Sequence, residues 1–488
     1  MKHVANQESI KNNIIAIEKQ FSVDKWKIGG IDVWPYIRII LYMSFLTQSN
    51  QSLGHNDSIK KTKGKALLLR KIGLPFLFIK AFFSQLIFFS KLKKKKILFF
   101  GSHIHRVKQN GEYFNRFYDS IVDYYKLYNN VYMIEYQKVY ENSFNKKAVI
   151  NLSKELNNYK LLRKLERYKK PLNHSVSLEG YDTFLDTLKS FDLDIGSMRI
   201  TKEYLVKWTA KIVSIQPFFK RFYEKTNSEK IVFLGYYGLD DLYAALITAN
   251  QMNIKTVDFQ HGPQTNVHMA YSHWTKLPKD GFNTMPIEFW NWDKESKENI
   301  HSWSKNTTNV KPLVFGQPYL HYWLKHNKNS KEEEKIILYS MQTSPLDLFT
   351  DKLVSLIKQS EYKWVLRLHP RNKTAIQKLN HFLKKNEISN NTIIQDAYSV
   401  PLPKVLSNSI LHITNYSGCV IEAQMMGVTT VLVHQIGLEM FMDYIDDSQV
   451  YYLSQKNENF LQSFESIVSK MPNHKNQTNL VKLGNPLD

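Results

Sequence analysis

The sequence predicts an α/β protein of two domains, each a parallel sheet covered by helices, facing a shared cleft behind a helical, basic N-terminal extension. Three observations predict it. Short apolar runs alternate with helical spacing between residues 96 and 325; the alternation restarts at Ile336, beyond a charged linker at 325–335; and a dense block of lysines precedes the first run. Strand, helix, strand order implies parallel strands with helices on their faces. The boundaries read as 1–95 for the extension, 96–325 and 330–455 for the two α/β domains, and 456–488 for a tail. A length of 488 residues suits this, since one domain takes roughly 150.

Composition narrows the class. Hydrophobic residues at 43% and charged residues at 23% exclude wholesale disorder and low-complexity architecture. A mean hydropathy of −0.39 excludes a polytopic membrane protein. The single cysteine, Cys419, excludes an internal disulfide framework and a multi-cysteine zinc site. The first twenty residues hold no apolar core of the signal-peptide kind, so a cytoplasmic location is expected.

Taken in order, residues 12–42 read as two short helices around Gly29-Gly30 and Trp34-Pro35, a packed cap without chemistry. Residues 57–96 carry twelve Lys/Arg against one acid, half of the chain's net charge of +22. They bracket the apolar run 72–90. Lys80 in its middle argues against a bilayer span, at a cost of roughly 2.5–3.5 kcal/mol. An amphipathic segment at 60–96, lying on an anionic membrane surface, is the cheaper arrangement, and a buried inter-domain helix is the alternative. No nucleic-acid reading motif accompanies the charge. In the first domain, 97–101, 131–135, 231–235 and 256–259 read as strands, with helices at 112–125 and 240–252. Residues 145–225 read as mainly helical. In the second, strands are expected at 336–339, 364–368, 392–394, 410–414 and 430–433, and helices at 346–359, 374–385, 400–408 and 418–426.

Ligands of open parallel sheets bind beyond the carboxyl ends of strands, and four such ends carry capable residues. At Thr414-Asn415-Tyr416-Ser417-Gly418, a strand runs through a small-residue turn into a helix whose free N–H groups suit a diphosphate; Glu422, one turn on, could accept from a ribose diol. Plain helix capping is the structural alternative. At Arg367-Leu368-His369-Pro370-Arg371, the proline forces an extended turn that leaves His369 and Arg371 at the sheet edge, able to meet phosphate oxygens. Ser340-Met341-Gln342-Thr343-Ser344 is a donor-rich loop over the same cleft. At Asp258-Phe259-Gln260-His261-Gly262-Pro263, the Gly-Pro turn leaves the His261 ring in the cleft, where an imidazole can take a proton from a hydroxyl and Asp258 could orient it. A fifth loop, 102–111, holds His103, His105 and Arg106.

Gln260-His261-Gly262, His369-Pro370-Arg371 and the run from Thr414 to Gly427 together resemble the GT-B class of bacterial surface-polysaccharide glycosyltransferases. Capsule and lipopolysaccharide sugar transferases are the nearer likeness, and CDP-glycerol glycerophosphotransferases the more distant. The opening at 26–42 is similar to that of proteins from such clusters. The resemblance implies two Rossmann-like domains, a nucleotide-sugar co-substrate and no metal or other cofactor. It implies donor contacts at His369, Ser417, Gly418 and Glu422 and a general base at His261; the strand-end loops themselves add Arg371, Gln342 and Thr343 as donor candidates and Asp258 as the catalytic partner of His261. Gln260, His103 and Arg106 are the candidate acceptor contacts. Asn415 and Gly418 stand where the glycerophosphotransferases carry Asp and Ser, which weakens the polyol-phosphate reading.

The function expected is therefore metal-independent, inverting transfer of a sugar to a surface glycan or lipid-linked acceptor, at the inner face of the membrane. A nucleotide-sugar epimerase, a CDP-polyol phosphotransferase and a non-catalytic membrane-associated assembly protein are the rivals.

Overall fold

The computed structural model describes residues 6–52, 74–163, 175–327, 336–342, 349–370, 375–471 and 478–488. Two parallel sheets organise it. The first has seven strands in the order Lys311–Val314, Glu288–Asn291, Lys255–Phe259, Lys230–Phe233, Ile97–Gly101, Val131–Glu135, Val149–Asn151. Its interior strand Ile97–Gly101 is buried at every position, as an apolar run between two helical layers must be. The second has six strands in the order Thr392–Gln395, Lys363–Arg367, Ile336–Ser340, Ser409–Thr414, Thr429–Leu432, Val450–Tyr452. Both are doubly wound. Strand order reverses between Ile97–Gly101 and Lys230–Phe233 in the first sheet, and between Ile336–Ser340 and Ser409–Thr414 in the second. Each reversal opens a crevice beyond the carboxyl ends.

The expected strands are present within a residue or two of their predicted ends, and four more join them: Val149–Asn151, which opens the stretch expected to be mainly helical, Glu288–Asn291, Lys311–Val314 and Val450–Tyr452. The helix expected over 112–125 is corrected. Arg106–Gln109 and Glu112–Asn115 form an antiparallel hairpin, because Asn110 and Gly111 supply two consecutive positive φ angles of 48° and 83°. The helix starts only at Tyr118, where the Asn115 side chain accepts from the Phe117 and Tyr118 amides at 3.0 and 3.1 Å.

The extension is less separate than expected. Ile10, Ile14 and Ile17 bury one face of helix Gln7–Gln20, and residues through Phe45 share one apolar core with the first sheet. Glu18, fully buried, accepts from Trp34 Nε1 and Arg38 Nε, both at 2.8 Å, while Arg38 Nη2 donates to the Ser272 and His273 carbonyls at 3.0 Å. The segment 60–73 lies outside the described residues. From Leu74 to Lys91 the chain is helical, and no described helix is long and apolar enough to cross a membrane.

The lobes are tied together in several places. An apolar cluster runs from Phe99, Phe259 and Trp290 to Leu338, Val420 and Phe441. The Tyr444 hydroxyl lies 3.1 Å from both Asp293 carboxylate oxygens and 3.0 Å from Ser296 Oγ. Helix Phe460–Ser469 belongs to the second lobe, but residues 478–488 return to the first: Tyr125 Oη donates to the Leu483 carbonyl, the Gly484 amide to Phe315, and Lys230 Nζ to Pro486, at 2.7, 2.7 and 2.8 Å.

Candidate active site

The crevices of the two sheets open toward each other. Pro263, two residues beyond His261, and Gly418, after strand Ser409–Thr414, touch across the cleft. A Cβ on Gly418 would lie 2.7 Å from the Pro263 Cγ. His261 and the Ser417-Gly418 turn therefore belong to one site.

In the first lobe, the ring centroid of His261 lies 5.6 Å from that of His105, at 66°. Each Nδ1 is buried and finds no hydrogen-bond partner among the described residues. Burial lowers the His261 proton affinity to a pKa of about 4, with the neighbouring Arg116 adding to the effect. His105 is held well below its ordinary value by burial and by His261 and Arg116. Both rings are neutral at pH 7.

Asp258 does not orient His261. Its Oδ1 accepts from the Gly235 and Tyr236 amides at 3.1 and 3.0 Å, and its Oδ2 from Gln264 Nε2 at 3.4 Å. These bonds fix the turn at Gly235, whose φ of +80° only glycine adopts readily, and where a Cβ would come within 3.0 Å of His261 Cε1. Asp258 thus shapes the floor under the imidazole. Burial pushes its carboxyl up to about 8, so the folded state binds a proton that the unfolded chain releases near pH 4. Its contribution to stability is present in acid and lost as pH rises from about 4 to about 8. Asp258→Asn keeps most of the hydrogen bonds and removes this slope. Urea midpoints across pH 4 to 8 should fall less steeply with pH in the variant than in the wild type; parallel curves would refute the assignment.

Two further expectations are corrected. Gln260 is a buried strut, its Oε1 accepting from the Trp292 amide at 2.7 Å and its Nε2 donating to Ser296 at 3.0 Å. Arg106 is buried in ion pairs with Asp119 at 3.1 Å and Glu135 at 2.5 Å. Both side chains are engaged in holding the fold. His103 stays at the loop surface, half-buried, 3.3 Å from Ser102 Oγ.

The hairpin brings in a residue not singled out from the sequence. Arg116 donates its amide to the His105 carbonyl at 3.1 Å, and its guanidinium is close enough to His105, His261, Arg367 and Glu422 to shift the proton affinity of all four. Its Nε is buried with no partner among the described residues. The Asn110-Gly111 pair was the signal that could have found it.

Across the cleft, Gln317 of the first lobe donates Nε2 to Glu422 Oε1 of the second at 3.0 Å, while Gln317 Oε1 caps helix Pro318–His326. Burial raises the Glu422 carboxyl above its usual range, opposed by Arg116 and Arg367. Arg367, buried, donates to Gln395 and to the Ala397 carbonyl at 2.5 and 2.9 Å. Gln342 is buried, and its Nε2 lacks a partner among the described residues. Helix Cys419–Met425 is only two turns long; Ser417 Oγ accepts from the Cys419 amide at 3.4 Å. Among the described residues, the cations that act on Glu422 are Arg116 and Arg367. His369 follows strand Lys363–Arg367 and is half-buried. Arg371 and Thr343 lie outside the described residues. Among the described residues no cluster of three or more His, Cys, Asp or Glu could hold a metal ion.

No protein-family model matches the chain, and no curated protein matches it either. Solved structures similar to it include a UDP-GlcNAc 2-epimerase from Neisseria meningitidis bound to UDP-GlcNAc, at 12% identity and a TM-score of 0.45, over 77% of this chain and 91% of that one. Another is the UDP-GlcNAc 2-epimerase of Methanocaldococcus jannaschii, with 12% identity, a TM-score of 0.43, and 80% and 96% of the two chains covered. MurG of Acinetobacter baumannii is similar at 12% identity and a TM-score of 0.38, over 77% and 91%. These likenesses are distant, and the chemistry has to be read from the chain's own residues.

Proposed function

We propose that the protein is a GT-B-type glycosyltransferase that moves a sugar from a nucleotide-activated donor to a hydroxyl of a surface glycan or lipid-linked acceptor. The observation that carries this reading is the meeting of two crevices at Pro263 and Gly418. Uncharged imidazoles stand on one side beside Arg116, and the Glu422 carboxyl, acted on by Arg116 and Arg367, on the other. Such a cleft suits an anionic leaving group and a neutral nucleophile held face to face.

In the reaction, the acceptor oxygen forms a bond to the anomeric carbon as the bond from that carbon to the phosphate oxygen breaks. The electron pair leaves with the nucleoside diphosphate, and His261 takes the hydroxyl proton. A single displacement inverts the anomeric centre. Arg116 and Arg367 stabilise the departing diphosphate. Glu422, held by Gln317, accepts from the ribose, and Gln342, His369 and the Ser417-Gly418 turn complete the donor side. Arg371 and Thr343 belong to the same donor-side loops in sequence.

The test is a thermal-shift panel of UDP, GDP, CMP and CDP. A nucleotide at ~100 times its dissociation constant stabilises the fold by roughly 2.7 kcal/mol; no shift with any of them would reject the reading. The nucleotide that binds then names the donor series. Turnover of that donor with no acceptor present, changing the sugar itself, would mark an epimerase instead.

Arg116→Ala should weaken nucleoside diphosphate binding by about 10- to 100-fold, the range of a charge-assisted bond. Titration calorimetry should show a smaller loss for the monophosphate. Equal losses for both would place Arg116 away from the outer phosphate.

A further inference from the structure

On the flank of the first lobe, a groove of about 580 Å³ runs between helix Leu74–Lys91 and the segment leading into helix Leu152–Arg163. It lies by the edge strand Val149–Asn151 and reaches Tyr132 near the start of its strand, so it is separate from the cleft at the carboxyl ends. Its floor includes Phe83, Ile87 and Phe88, and its rim carries Lys80, Lys91, Lys147 and Lys154 around the single carboxylate of Glu155, which lies 3.7 Å from Lys154. All four lysines are exposed.

The helix itself is turned inside out for a water-facing element. Ala81 and Phe89 are buried, Phe89 against Phe218, and Gln85 Nε2 donates to the Glu155 carbonyl at 3.0 Å. The opposite face shows Phe76 at 69% exposure, Phe83 at 56%, Ile79 at 55% and Phe82 at 51%. Large exposed apolar patches mark interaction sites. Here the patch is continuous with a lysine rim, and Lys93 and Lys94 follow the helix, both exposed.

We infer that this face is a docking site for an anionic bilayer, with the lysine-rimmed groove receiving the phosphate of a membrane lipid and the phenylalanines entering the acyl boundary. Charge complementarity selects the occupant. A protein partner would need acidic groups placed over each lysine, whereas a bilayer of acidic lipid offers phosphate anywhere along the rim and hydrocarbon beside it. The lysines and the apolar face then act together, as two weak anchors that hold only in combination. The inference is independent of the transfer reaction, because binding is read without donor or acceptor.

The experiment is co-sedimentation of the full chain with vesicles of phosphatidylcholine containing 25% phosphatidylglycerol, against pure phosphatidylcholine. The wild type should partition at least tenfold better onto the acidic vesicles, and the preference should shrink as salt rises. The double variant Lys147→Glu, Lys154→Glu should lose at least tenfold of that binding. Phe82→Ser with Phe83→Ser should lose it while keeping the wild-type melting temperature, since both rings are exposed. Three results would overturn the inference: no preference for acidic vesicles, undiminished binding of the charge variant, or abolition of vesicle binding by inorganic phosphate at constant ionic strength. The last would show a site for free phosphate instead of a membrane.

Discussion

His261→Ala should lower transfer by about 10²- to 10⁴-fold, the span of a lost general base, with nucleotide affinity left near the wild-type value. The two readouts separate because the imidazole stands on the acceptor side, while Arg367, Gln342 and Glu422 are contributed by the second lobe. The fold should survive. Asp258 holds the Gly235 turn through backbone amides, whether or not a ring lies over it. The pH profile sharpens the test. An ordinary histidine loses its basic form below about pH 6.5, but burial places His261 near 4. The acidic limb of kcat/KM in the wild type should therefore fall well below pH 6, with a flat region through neutrality. A weak base is a modest catalyst while the hydroxyl is intact, and it becomes useful as the forming bond acidifies that proton. Full activity in the alanine variant would reject the role of His261. A wild-type limb near 6.5 would mean that the ring works in water and not in the buried site.

Legibility followed burial. Ile97–Phe100, Ile336–Tyr339 and Thr429–Leu432 are short, mainly apolar runs because parallel strands are covered on both faces, and this signal survives without knowledge of neighbours. Lys311–Val314 was not legible for the converse reason: two of its four residues are exposed at the sheet edge, and Pro312 lies within it. The carboxyl ends of strands located His261, Glu422 and Gln342. What each side chain does there depended on partners far along the chain. Arg106 is a candidate acceptor contact in the sequence, but the fold sets Asp119 and Glu135 against it. Asp258 looked like a partner for the nearby imidazole, but two backbone amides from another loop hold its carboxylate. Arg116 was hidden because its position depends on a hairpin within a stretch of helix-compatible composition.

Gly418→Ala tests the facing of the two crevices most directly. Its φ of −58° and ψ of −14° suit any residue, so the substitution strains no backbone angle. The obstacle is Pro263, whose Cγ and Cδ would stand 2.7 and 2.9 Å from the new methyl. A proline ring cannot swing aside as a lysine tail could, so the two loops must part. Overpacking of this kind costs about 1–3 kcal/mol, which two lobes tied by Tyr444 and the returning tail should withstand. Catalysis should not, because parting the loops separates His261 from the donor side, and a displacement near 1 Å can cost about 10²-fold. A drop of that order is expected in kcat, with a melting temperature close to the wild type. Pro263→Ala in the same chain removes the opposing ring, so the double variant should regain much of the loss. That recovery is the coupling expected of residues in contact. Were Gly418→Ala alone to turn over at the wild-type rate, the distance between the lobes at this point would not matter to the reaction. The site would then lie within one lobe.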